Sequence, residues 1–269
     1  MITSSSRSFS HRSWLMNLFC LLIIVTSSLQ VGNSALVASP PSLKKKINAR
    51  DGLVYVWISP GTFEMGCSEG DHDCSDGENP RHSVTITKGF WIGETEVTQA
   101  AFDGVFPQTL QNRFEGPEHP VDSASWDDAK AYCDAVGMRL PTEAEYEYAA
   151  RAGSEGPRYG PLVDIAWFSA NSHGQSQVVG RLSKNDWELY DMLGNVWEWV
   201  NDWYGTYKKE AQTDPQGPSS GYSRVLRGGS ANLGFSSVRV SARLAANAES
   251  RGGSDYFGFR CAANEPVSW

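Results

Sequence analysis

The sequence predicts an α+β fold that is rich in ordered loops and low in regular secondary structure. Three features carry this. Two segments have complete helix-start and helix-stop signals, "SWDDAKAYCDAVG" and "PTEAEYEYAARAG". Several segments of four to eight residues alternate β-branched or aromatic residues with polar ones, which is the strand period. Between them lie long stretches of Gly, Asn and Trp with no period at all. Ten Trp and 26 Gly in 269 residues suit loops pinned by buried rings. Loops of that length are usually braced by ligands, metals or disulfides.

The elements follow in chain order. Arg7, His11 and Arg12 precede the apolar run Trp14 to Val25, and a zone of small residues follows. This is the layout of a signal peptide over residues 1–38, with cleavage after Ala35 or Ala38. A retained anchor is the alternative, although the run is short of the roughly 20 residues that span a bilayer. Cys20 follows Phe19 rather than a small residue, so it is not an acylation signal. No later segment could span a membrane. The Pro-, Lys- and Ser-rich residues 39–52 read as a linker and residues 53–269 as the folded domain. "LVYVWISPGTFEMG" reads as two strands about a Ser-Pro-Gly turn, and "SVTITKGFWIGETEV" as further strands. The first helix starts at Ser125 with Asp128 three residues on and stops at Gly137. The second starts at Thr142 with Glu145 and stops at Gly153. Both are capping boxes, so Asp128 and Glu145 are expected to be structural. "VWEWV", "RVLR", "SVRVSARLA" and "FGFRCAA" complete the strands. In "SVRVSARLA", Val238, Val240, Ala242 and Leu244 form an apolar face and Arg239, Ser241 and Arg243 a polar one, as in a half-buried strand.

A net charge of -8 excludes the basic footprint of a nucleic-acid binder. Beyond the leader the chain keeps Cys67, Cys74, Cys133 and Cys261, an even number that reads as disulfides in an exported chain. Three pairings are open, and proximity favours Cys67 with Cys74. Cys133 and Cys261 would then close a long loop, a constraint of about 4–5 kcal/mol in the chain-entropy model. The spacing does not suit a metal site.

Candidate chemistry is sparse. The acidic stretch Cys67 to Glu78 fails the calcium-loop pattern, because Asp76 and His82 stand where Gly and Glu are needed. It reads as a solvated loop closed by a disulfide. In "YDMLGNVWEW", Asp191 and Glu198 flank a Gly194-Asn195 turn and could join free carbonyls around calcium; the alternative is an Asx-type turn with Trp197 and Trp199 in the core. His72, His82, His119 and His173 form no metal-ligating pair, and there is no nucleophile elbow, P-loop or dinucleotide fingerprint.

The ordered blocks "VWISPGTFEMG", "GFWIGETEVTQAAF", "HPVDSASWDDAKAYC", "RLPTEAEYEYAARAG", "LYDMLGNVWEWVNDWYG", "RVLRGGS" and "FGFRCA" resemble the formylglycine-generating enzyme (sulfatase-modifying factor) family, from about Leu53 to Ala263. The resemblance implies the family's loop-rich variant of the C-type-lectin-like fold. Members that oxidise a sulfatase cysteine use copper(I), oxygen and two cysteines just after the Arg-Gly-Gly-Ser block, and paired thiolates suit that soft ion. Here those places fall at or near Leu233 and Val238, while Ser230 is retained. The resemblance also implies a Cys133–Cys261 disulfide. It implies a structural calcium ion held by the side chains of Asp191 and Glu198 and the carbonyls of Gly194 and Val196. The family's other calcium loop, near Asn171 to Asp186, departs from the pattern. The related hercynine sulfoxide synthases carry an iron-binding domain that is absent here.

Copper is therefore not expected, and no catalytic residue is assigned. The expected function is an exported binding or accessory module for an unknown protein or small molecule, secreted or periplasmic, without cysteine-oxidase activity. Some proteins on this fold diversify residues near their C-terminus. By analogy Asn232, Phe235, Arg239, Asp255 and Tyr256 would form an exposed ligand surface. The alternative is an extracytoplasmic oxidoreductase with other chemistry, as in relatives linked to siderophore maturation, using a cleft around Ser230, Trp197 and Arg243. A true sulfatase-activating formylglycine generator is the remaining reading.

Overall fold

Strand β1 (Lys45–Ile47) pairs antiparallel with β2 (Val54–Ile58), with Lys46 opposite Tyr55. These first residues fall where the sequence suggested a linker. Lys45 ties them down further, reaching Glu94 at 2.6 Å and Glu188 at 2.7 Å. The folded region therefore begins before Leu53. The computed structural model describes residues 44–253, 255–267 and 269; the expected signal segment, residues 1–38, lies outside them.

The chain continues through β3 (Gly61–Met65), β4 (His82–Ile86) and β5 (Phe90–Gly93), the strands expected from the alternating segments. Helix α1 (Gln99–Val105) follows. It has no capping box, only Thr98, whose side chain accepts from the Ala101 N–H. Helices α2 (Trp126–Ala135) and α3 (Glu143–Arg151) form where expected. Ser125 with Asp128, and Thr142 with Glu145, make both reciprocal capping bonds. A short α4 (Leu162–Ile165) precedes β6 (Trp197–Trp203), β7 (Gln212–Thr213) and β8 (Arg224–Arg227). The last strands are β9 (Arg243–Ala246), β10 (Phe257–Gly258) and β11 (Ala262–Asn264).

Among the described residues these strands make three small sheets, ordered β1-β2-β5-β11, β10-β6-β8-β9 and β3-β4-β7. Between them run the long loops. Their cohesion comes from rings buried in two large apolar clusters, with Trp91 and Trp199 almost wholly enclosed. The Trp199 indole N–H donates to the Ala124 carbonyl at 2.8 Å, and that of Trp126 to Val200 at 2.9 Å. Disulfides join Cys67 to Cys74 and Cys133 to Cys261, the second linking α2 to the segment that enters β11.

Helix α3 is buried along its whole length, glutamates included. Arg227 of β8, fully buried, pairs with Glu147 and lies 3.4 Å from Glu143. Its Nη1 donates to the Ser241 carbonyl at 2.9 Å and its Nη2 to that of Val240 at 2.8 Å, while Nε has no partner. Removing one member of such a buried set strands a charge, at about 3–5 kcal/mol. These pairs fix α3 against β8 and the segment leading to β9.

That segment departs from the expected strand. Residues Phe235–Ser237 form a single 3-10 turn, and regular pairing begins only at Arg243. Val238, Val240 and Ala242 are buried as the alternation implies, but Arg239 and Ser241 are buried as well. Alternation cannot register a charge that is buried because a partner waits for it.

Candidate functional site

The turn after β8 sets the geometry of the region. Gly228 and Gly229 have φ of +94° and +84°. A Cβ on Gly229 would stand 2.7 Å from the Ser237 carbonyl oxygen, so only glycine lets residues 237–238 fold back onto the turn. Ser230 is fully enclosed, its hydroxyl 2.6 Å from Asn232 Oδ1. The Ala231 N–H donates to Asn195 and the Leu233 N–H to Ser230. Leu233 packs against one apolar cluster, whereas Val238 is fully buried in the other. Arg158 secures the backbone here, donating to the Val238 carbonyl at 3.0 Å and to that of Phe235 at 2.5 Å. The two positions where the resemblance puts thiolates thus present hydrocarbon, and Val238 is covered.

The proposed exposed surface is only partly exposed. Phe235 is 60% exposed, and Asn232 and Asp255 are half-buried, 3.5 Å apart through Asn232 Nδ2 and Asp255 Oδ1. Tyr256 is buried, and its hydroxyl donates to the Gly174 carbonyl. Arg239 is 3% exposed. Its guanidinium meets Glu78 at 2.6 and 2.8 Å and Asp71 at 3.0 Å, and donates to the Asp73 carbonyl. The acidic loop Cys67 to Glu78 is therefore not simply solvated, since Asp71 and Glu78 point inward onto Arg239. Burial alone would raise the Glu78 carboxyl. Hydrogen bonds from Arg239, the Ser75 backbone and Ser241 outweigh it and hold the group at about 2.

Of the four residues expected at calcium, Asp191 and Glu198 both interact with the buried Arg260, and Gly194 and Val196 lie in the chain between them. Arg260 Nε and Nη2 each reach a Glu198 oxygen at 2.8 Å, and the Tyr146 hydroxyl donates to the same carboxylate at 3.0 Å. Asp191, in the left-handed region at φ 53°, receives the Gly180 N–H at 2.6 Å on Oδ2. A third acid, Glu96, is not anticipated by the sequence. It is fully buried, and neither of its carboxylate oxygens has a partner; nor has Asp191 Oδ1. Burial, then Asp191 and Glu198, raise Glu96 well above the usual carboxylate range, and burial pushes Asp191 up to about 6. Among the described residues no group of three or more His, Cys, Asp or Glu side chains is arranged as a ready metal site. Arg260 occupies most of Glu198. What remains is three orphaned, buried oxygens on two acids, and a hard cation such as calcium suits that oxygen donor set. The only signal for Glu96 is an acid in "GETEV", and Glu94 in the same stretch has an equal claim by sequence.

Ser230, Trp197 and Arg243 do not form one cleft. Arg243 lines a separate cavity of about 520 Å³ together with His82, Glu143 and Asp202, and neither Ser230 nor Trp197 borders it. Arg243 donates to Glu143 at 2.8 Å. Burial, then the nearby Glu143, pushes the Asp202 carboxyl up to about 8. Nothing in the sequence joined His82, Glu143 and Asp202, because they come from β4, α3 and β6.

Comparison with known proteins agrees with the architecture. The sulfatase-modifying factor enzyme 1-like domain matches residues 42–265. The formylglycine-generating enzyme of Streptomyces coelicolor is 34% identical over 279 residues, 77% of this chain and 88% of that protein. Among solved structures, PvdO from Pseudomonas aeruginosa superposes with a TM-score of 0.71 at 26% identity, covering 84% of this chain and 99% of that one. Treponema denticola variable protein 1 superposes with a TM-score of 0.72 at 26% identity, covering 84% and 100%.

Proposed function

From the premise that the chain belongs to the sulfatase-modifying factor, or formylglycine-generating enzyme, family, we propose that it is a binding or accessory module without cysteine-oxidase activity. One observation carries the reading: Val238 lies fully buried among apolar side chains where the family resemblance calls for a copper-binding thiolate, and Leu233 stands in place of the other. Copper(I) needs soft donors, and hydrocarbon supplies none. All four cysteines of residues 44–269 are engaged in disulfides, so no other thiol in this region is free to substitute. Ser230 holds the turn but offers only a hard oxygen.

A structural calcium ion belongs to the same proposal. Asp191 and Glu96 would hold it through their orphaned oxygens, with the Gly194 and Val196 carbonyls and the remaining lone pair of Glu198. The ion would neutralise a buried pair of acids and so brace the turn that carries β6. It would take no part in chemistry.

Export to a secreted or periplasmic location completes the reading, supported by two disulfides and the charged, apolar, small-residue order of residues 1–38. Sequencing the mature N-terminus tests export: a chain that retains Met1 contradicts it. Incubation with a cysteine-containing sulfatase peptide, copper and oxygen tests the activity. The mass spectrum should show an intact thiol, and conversion to the aldehyde would refute the reading.

A further inference from the structure

The cavity beside Arg243 is independent of the segment that carries Leu233 and Val238, and neither residue borders it. Its volume of about 520 Å³ lies within the roughly 300–1,000 Å³ of small-molecule sites. Its floor is polar and held in place. Asp202 Oδ2 accepts from the Glu143 N–H at 2.9 Å. The Glu143 carboxylate accepts from the Tyr207 hydroxyl at 3.0 Å and from Arg243 at 2.8 Å. Arg243 also donates to the carbonyls of Gly77 and Gly205, and its guanidinium lies 4.2 Å from the ring centroids of both Tyr204 and Tyr207. Such a floor loses little freedom when a ligand arrives.

One hydrogen-bonding function remains open on these side chains. His82 Nδ1 lies 3.0 Å from the Pro80 carbonyl, which fixes the proton there and leaves Nε2 as an acceptor in the neutral ring. Arg243 Nε also lacks a partner, but it is fully enclosed and does not face the cavity. The charge balance then selects the ligand. An anion would face Glu143, and a cation would face Arg243 with Lys208 at the rim. A neutral molecule bearing hydroxyls, each both donor and acceptor, matches all of these groups. Met65, Trp203, Pro215 and Pro218 add apolar surface to the lining, and Gln212 and Gln216 add amides.

We propose that this cavity binds a neutral saccharide of one or two rings. The Asp202 carboxyl, which burial and Glu143 keep protonated at neutral pH, serves as a further hydroxyl-like donor at the floor. The site requires no metal and does not depend on the chemistry at Leu233 and Val238.

The test is saturation-transfer NMR on the mature chain with methyl glycosides of glucose, galactose, mannose and N-acetylglucosamine, and with cellobiose and lactose. Calorimetry on the best binder follows. Gln216→Trp, at an exposed position on the mouth, blocks entry without touching the core. At least one of these sugars should bind, with affinity lowered at least about tenfold by Gln216→Trp at an unchanged melting temperature. Glucuronate and glucosamine should bind at least about tenfold more weakly than the best neutral sugar. Absence of binding by every sugar, binding that Gln216→Trp leaves intact, or preference for a charged analogue would each overturn the proposal.

Discussion

Arg239 and Glu78, 161 residues apart in sequence, meet in a buried two-point ion pair at 2.6 and 2.8 Å. The Ser241 hydroxyl adds a bond to the same carboxylate at 2.7 Å. The pair pins the end of the acidic stretch onto the irregular segment between β8 and β9, where the family resemblance puts the two cysteines. Here the segment contributes to packing.

Acid should break this contact. The folded-state Glu78 carboxyl sits at about 2, below its ordinary value of 4.5. Stability from the ionised group is therefore fully present above pH 4.5 and lost as pH falls through 2, an effect of about 3 kcal/mol. Urea melts between pH 2 and 5 should show the wild type losing stability in that window. Glu78→Gln should be less stable at pH 7 and flatter across the window. Parallel curves would show that acid acts elsewhere.

Gly229→Ala should lower stability by at least about 2 kcal/mol. The substitution forces a Cβ into the left-handed region and onto the Ser237 carbonyl, a backbone atom that cannot swing away. Gly234, exposed and with nothing near its Cβ direction, is the control. Thermal melts in which both variants match the wild type would dismiss the close approach as a determinant.

Calcium should raise the melting temperature of chelator-treated protein, with little response from magnesium, which accepts irregular oxygen sites poorly. Glu96→Gln should abolish most of the response, because it replaces an acid whose two oxygens both lack partners. A full response in that variant would remove Glu96 from the ligand set.

Much of this structure could be read from particular residues. Ser125 with Asp128 and Thr142 with Glu145 announced α2 and α3, since caps act over three residues and need no tertiary context. Helix α1 lacks such a box, so nothing local marks it beyond Thr98. Strand β1 hid among lysines because an edge strand with exposed side chains has no apolar period. The burial of Arg239 is not readable, because alternation reports hydrophobicity and not ion pairing. Asp191 and Glu198 can be singled out together because they flank the Gly194-Asn195 turn, whereas Glu96 approaches them from a distant segment. The Asp202 and Arg243 cavity was invisible for the same reason.

Anaerobic titration with copper(I) against a chromophoric chelator tests the proposed absence of a copper site most directly. With Leu233 and Val238 at the ligand positions, the protein should leave the metal on the chelator at every ratio, with and without a cysteine-containing sulfatase peptide. Stoichiometric withdrawal of copper by the folded, disulfide-intact protein would contradict the account.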